Sequence, residues 1–118
     1  LKEAMLSIGF AKDKKTMDYM IPYFNKLVLK IRKPRMMGSA TLALTYVACG
    51  RFHGYIESKV RLWDIAAGGL ILECAGGEFW RMPRRKGEYA YAVVATNGKI
   101  RKQIERLCAP LDPDGALK

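Results

Sequence analysis

This 118-residue chain has little with which to build a soft-metal or redox site: three cysteines and one histidine. Cys49, Cys74 and Cys108 show neither metal nor redox spacing, and His53 has no cysteine or second histidine at ligand distance along the chain. That pattern speaks against a structural zinc site or a dithiol motif. Odd in number, the cysteines are expected to be reduced core residues of a cytoplasmic protein. No apolar run reaches the ~20 residues that a membrane-spanning helix needs, and the first residues do not read as a secretory leader. Internal repeats and low-complexity segments are also absent. Acidic residues are scarce, 11 against 21 Lys and Arg, for a net charge of +10. Such a balance predicts attraction to an anion: nucleic acid, an acidic surface or a phosphorylated small molecule. A merely solvated basic surface is the plain alternative.

Half of the residues are hydrophobic, enough for a packed core. The length suits one domain burying roughly two thirds of its unfolded surface. That domain is expected over residues 1–109, with a tail at 110–118 carrying Pro110 and Pro113. The first residue is Leu rather than Met, which points to a piece of a longer chain.

Short apolar runs predict strands over residues 4–10, 52–57, 78–80 and 91–96. Met17, Met20, Ile21, Phe24, Leu27, Val28 and Ile31 fall on a helical stripe. Because Pro22 would lie deep inside that helix, its start is expected near Asp18 or later. Pro34 makes the basic residues 30–37 extended or irregular. A helix is expected over 41–49, another from Asp64 to the Gly76-Gly77 pair, and a last one through Ile100 and Ile104. Residues 81–87 read as a basic loop. Strands alternating with helices argue for an α/β layered domain.

Two places carry candidate chemistry. Asp64 is the only charge from Trp63 to Leu72, so a carboxylate stands at the mouth of an almost wholly apolar helix. It is either a structural cap or a ligand for something positive. Gly38-Ser39-Ala40 feeds a second helix and offers backbone N–H groups and a hydroxyl to an anion, although Ser is equally a common N-cap. His53 is read as a surface or strand residue.

Gly38-Ser39-Ala40, Glu57 and Trp63-Asp64 through Ala75-Gly76-Gly77 follow one another in an order and spacing that resembles the inositol monophosphatase family. Ile8-Gly9-Phe10 and Val94-Ala95-Thr96-Asn97 are similar to that family as well, so the resemblance covers nearly the whole chain. It implies a layered mixed sheet with helices, the C-terminal half of the sugar-phosphatase (inositol monophosphatase/fructose-bisphosphatase-like) fold. It implies hydrolysis of a phosphate monoester with Mg2+ ions that clamp the phosphate and activate water. By matching position, Asp64 would be a metal ligand near the leaving ester oxygen and so also touch substrate. Glu57 would accept hydrogen bonds from substrate hydroxyls, and Gly38, Ser39 and Ala40 would line the sugar or inositol pocket. Ser7 would face the same pocket. Arg61 reads equally as a substrate contact and as a surface charge. A homodimer is implied too.

This chain departs from the family in one large respect. The metal-binding Glu and the Asp-Pro-(Ile/Leu)-Asp-Gly-Thr motif of the family's first half are missing, and no catalytic residue is assigned here. A lone carboxylate holds Mg2+ weakly, because that ion keeps its waters and wants octahedral oxygen ligands. The expectation is a C-terminal half, inert alone, whose partner is the missing N-terminal half with the remaining metal ligands. Its substrate would be an inositol phosphate, a sugar phosphate or a phosphorylated nucleotide. The alternative is a non-catalytic basic module using residues 30–35 and 81–86 on nucleic acid or another anion. Aromatics are not interleaved with those charges, which argues against nucleic acid. No membrane association is expected.

Overall fold

In the computed structural model, which describes residues 1–84 and 89–108, the chain runs β1 (Met5–Gly9), α1 (Lys14–Val28), β2 (Lys33–Arg35), α2 (Ala40–Ala48), β3 (Gly54–Arg61), α3 (Leu62–Cys74), β4 (Glu78–Pro83), β5 (Ala90–Thr96) and α4 (Arg101–Cys108). The expected tail and residues 85–87 of the expected basic loop lie outside the described residues. The strands form one mixed sheet in the order β2-β1-β3-β5-β4. β1 pairs parallel with β2 and β3, whereas β5 pairs antiparallel with β3 and β4.

Alternation along the strands divides the core into two layers. Leu6, Ile8, Ile56 and Val94 face Met20, Tyr23 and Leu27 of α1 together with Ile100 and Ile104. Tyr55, Val60, Val93 and Ala95 face Ala43, Leu44 and Val47 of α2 with Ile65 and Leu72 of α3. Helices therefore cover both faces, as the α/β reading expects. No helix among the described residues is long and apolar enough to cross a membrane.

Several local expectations are corrected. α1 begins at Lys14 and carries Pro22 inside it, because Asp13 caps the helix by accepting the Thr16 backbone N–H at 2.8 Å. Pro22 faces solvent, and the buried stripe of Met20, Tyr23 and Leu27 anchors both sides of it. Burial in the core outweighs a local helix-breaking preference. Ile21, expected on that stripe, is exposed. Glu57 does not end its strand: β3 runs on to Arg61 through a register shift between Glu57 and Val60. β4 extends through Arg81, Met82 and Pro83, part of the expected basic loop, because β5 pairs with them. Cys49 and Cys74 are exposed rather than core residues, sitting at helix ends.

α2 and α3 pack side by side closely enough that a Cβ at Gly68 would press into Leu44. The Thr41 hydroxyl donates to the Asp64 carbonyl at 3.0 Å, tying the first turns of the two helices together. At its far end α3 stops on Gly76, whose φ of 85° suits glycine, while the N–H groups of Gly76 and Gly77 return to the carbonyls of Glu73 and Leu72.

Candidate functional site

β1, β2 and β3 are mutually parallel, and α1, α2 and α3 follow them directly. The starts of three helices therefore gather at the carboxyl edge of these strands. Helix N-termini present unpaired N–H groups and the positive end of the dipole. In open α/β sheets the crevice at this edge is where ligands bind.

Gly9 and Glu57 are partners in the β1–β3 register, and Ser7 and Tyr55 are partners one pleat earlier. All four lie on the face covered by α2 and α3. A Cβ at Gly9 would overlap the Glu57 carboxylate, so the glycine leaves the room that this side chain occupies. The Tyr55 hydroxyl donates to Glu57 Oε2. Tyr55 is only 2% exposed, whereas Glu57 is half-buried. Burial pushes the Glu57 carboxyl above the ordinary glutamate value; the Tyr55 hydrogen bond works against this rise, and the charge of Asp64 adds to it. Burial first, then the Glu57 charge, raises the Tyr55 phenol far above its usual value, so it stays a donor.

Asp64 sits in the first turn of α3 but does not cap it. Arg61 occupies the N-cap position without a side-chain hydrogen bond, and the Asp64 side chain is exposed. The cap alternative from the sequence is thereby corrected, because the helix begins two residues before Asp64. Gly38 turns the chain with φ 68°, and Ser39 Oγ caps α2 by accepting the Leu42 N–H at 3.2 Å. Ala40 opens that helix, one residue before the Thr41 that binds the Asp64 carbonyl. The structure thus places Gly38, Ser39, Ala40, Glu57 and Asp64 at one edge. Arg61 is exposed beside them at the end of β3. Ser7 is 1% exposed, so it is buried within β1 and does not open onto that edge.

His53 is not a ligand of this edge. Its Nδ1 accepts the Met5 N–H at 3.0 Å, and its backbone bonds Met5 and Asn97, stitching β1 to β3 and β5. A groove of about 230 Å³ between α3 and β4 is lined by Leu62, Ile65, Ala66, Leu70, Glu73, Phe79 and Arg81, with neither Glu57 nor Asp64 in its lining. Its lining is mostly apolar, with Glu73 and Arg81 as its charged members, whereas the edge combines Glu57 and Asp64 with the helix starts.

No group of three or more His, Cys, Asp or Glu side chains that could hold a metal exists among the described residues. Asp64 is one exposed carboxylate, and Glu57 is engaged by Tyr55. These residues do not by themselves satisfy a six-coordinate oxygen-loving ion.

The sequence alone does not mark Tyr55, Gly9 and Thr41 as site residues. Tyr55 had a signal: it stands two residues before Glu57 on a strand, hence on the same face. Gly9 and Thr41 take their roles from pairing across the sheet and between helices, which no local pattern reveals.

Residues 5–112 match the model of the inositol monophosphatase family. The chain is similar to an inositol-1-monophosphatase of Synechocystis, 37% identical over 111 residues that cover 92% of this chain and 39% of that protein. It is also similar to the Nus factor SuhB of Xylella fastidiosa, 37% identical over 91% of this chain and 42% of that one. Among solved structures, Mycobacterium tuberculosis SuhB superposes with a TM-score of 0.83 at 29% identity, covering 95% of this chain and 43% of its own. The chain spans less than half the length of these relatives and matches their C-terminal part.

Proposed function

Since the chain belongs to the inositol monophosphatase family, we propose that it forms the C-terminal part of a metal-dependent phosphatase acting on a phosphate monoester of inositol or a related sugar or nucleotide. The observation that carries this reading is the meeting of Glu57, Asp64 and the start of α2 at the carboxyl edge of the parallel strands.

In this reading each residue has a task fixed by its surroundings. Glu57, held by Tyr55, accepts hydrogen bonds from substrate hydroxyls; when ionised it is acceptor-only, which suits a polyol. Gly38, Ser39 and Ala40 bring the α2 start against the ring, where exposed N–H groups favour an anionic ligand. Asp64 projects from α3 free of any capping duty and supplies one oxygen ligand to Mg2+. The remaining ligands and the residues that orient water come from the rest of the protein. Mg2+ when bound neutralises charge on the transferring phosphoryl group. This chain's own contribution is to bind and orient substrate and to offer one corner of the metal site. The fragment is therefore inert alone. Incubating it with Mg2+ and inositol monophosphate should release no phosphate; turnover by the isolated chain contradicts the reading.

A second reading has its own support. Arg32, Lys33 and Arg35 are exposed on or beside the edge strand β2, and a relative bearing the name Nus factor SuhB is not named as a hydrolase. A basic edge of this kind would bind nucleic acid without catalysis. Binding of RNA with a steep loss of affinity between low and moderate salt would favour it.

A further inference from the structure

The start of α3 has no side-chain cap, since Arg61 stands at the N-cap position without a hydrogen bond from its side chain. Neighbouring elements hold this start instead. The Leu62 N–H donates to the carbonyl of Tyr89, just before β5, at 3.0 Å. The Thr41 hydroxyl donates to the Asp64 carbonyl, also at 3.0 Å. One bond ties the helix to the sheet; the other ties it to α2. Packing reinforces the second tie. A Cβ at Gly68, one turn after Asp64, would lie 2.9 Å from Leu44 Cβ and 3.5 Å from the Thr41 carbonyl oxygen. The bare glycine therefore lets residues 64–68 of α3 close on the first turn of α2. The Thr45 hydroxyl, by contrast, donates within α2, to the Thr41 carbonyl at 2.8 Å.

We propose that Thr41 is a positioning residue, whose hydroxyl sets where the Asp64 carboxylate stands relative to the Gly38-Ser39-Ala40 turn. The proposal rests on the phosphatase reading, in which the carboxylate is a metal corner and the turn lines the substrate pocket. Thr41 is placed for this task. It follows the pocket turn directly, and it reaches across to the residue that carries the carboxylate. Because it binds the backbone of Asp64 and not the side chain, the carboxylate stays free to meet a cation. Rates depend steeply on the placement of reacting groups, so one tether between two helices acts on catalysis beyond its modest contribution to stability.

The test uses the complete protein with three variants. Thr41→Val keeps the branched shape and removes the donor, whereas Thr41→Ser keeps the donor. Thr45→Val is the control, because it deletes a similar hydroxyl whose bond stays inside α2. Thr41→Val should weaken Mg2+ binding, read by titration calorimetry, by about fivefold, and should lower kcat on inositol monophosphate by a similar factor. KM for inositol monophosphate should change little. Thr41→Ser should restore Mg2+ affinity and kcat, and Thr45→Val should leave both near the parent values. In an Asp64→Asn background, Thr41→Val should lower kcat no further, because it acts through that carboxylate. Mg2+ affinity unchanged in Thr41→Val, a loss that Thr41→Ser shares, or an equal loss in Thr45→Val would each overturn the proposal while the parent's activity upholds the phosphatase reading. A complete protein that releases no phosphate with Mg2+ removes that reading, and the proposal with it.

Discussion

The Tyr55 hydroxyl reaches along one face of β3 to the Glu57 carboxylate, in space that exists because Gly9 on the neighbouring strand has no side chain. A buried donor thus fixes the orientation of a half-buried acceptor, and a glycine on another strand makes room for the acceptor.

Tyr55→Phe keeps the ring in its pocket and removes only the donor. Leaving the carboxylate without its partner should cost about 1 kcal/mol or more of stability. In the complete protein, KM should rise by roughly tenfold while kcat changes less, since the pair is proposed to bind hydroxyls and not to do chemistry. Urea unfolding and steady-state kinetics read the two effects.

Gly9→Ala places a methyl group where the Glu57 carboxylate lies. The carboxylate must swing away from Tyr55, so substrate affinity should fall at least as far as in Tyr55→Phe. Combining the two substitutions should add little to either, as expected for residues acting on one side chain. A double-mutant cycle on KM measures this.

Glu57 is an exception among carboxylates in the direction of its pH effect. Its folded-state value is raised above the ordinary 4.5, chiefly by burial, so the folded state favours the protonated form. Its contribution is fully present below 4.5 and is lost as pH rises through the raised value. Glu57→Gln should therefore raise Tm at pH 7 relative to the parent and give little gain at pH 4, while weakening substrate binding. Calorimetry at the two pH values checks the sign.

Asp13 behaves oppositely. Two hydrogen bonds from Thr16, the backbone one first, hold its carboxyl below the ordinary 3.8. Its stabilisation of α1 is present above 3.8 and is lost as pH falls through the lowered value. Asp13→Ala should lower Tm at pH 6, and the gap to the parent should close in more acid solution.

Much of this arrangement was legible in the residues themselves. The Gly38-Ser39 turn, the helix ending at Gly76 and the apolar strands are local signals, and local physics decides them. Tertiary context decided the rest. Core burial carried α1 across Pro22, pairing with β5 turned residues 81–83 from loop into strand, and Asp64 proved to be a free carboxylate because α3 starts at Leu62. The sequence also marked Cys49 and Cys74 as apolar, but the core has no place for them at helix ends.

Asp64 gives the most direct test because its side chain does no structural work. The helix start needs no cap from it, and only its backbone carbonyl is engaged, by Thr41. Asp64→Asn should cost the fold no more than about 1 kcal/mol, from the lost charge near the helix N-terminus. The decisive measurement is Mg2+-dependent phosphate release from inositol monophosphate by the complete protein with and without Asp64→Asn. At unchanged Tm, the account predicts a fall in kcat of about 100-fold or more. Activity that survives the substitution would contradict a role for Asp64 in the metal site.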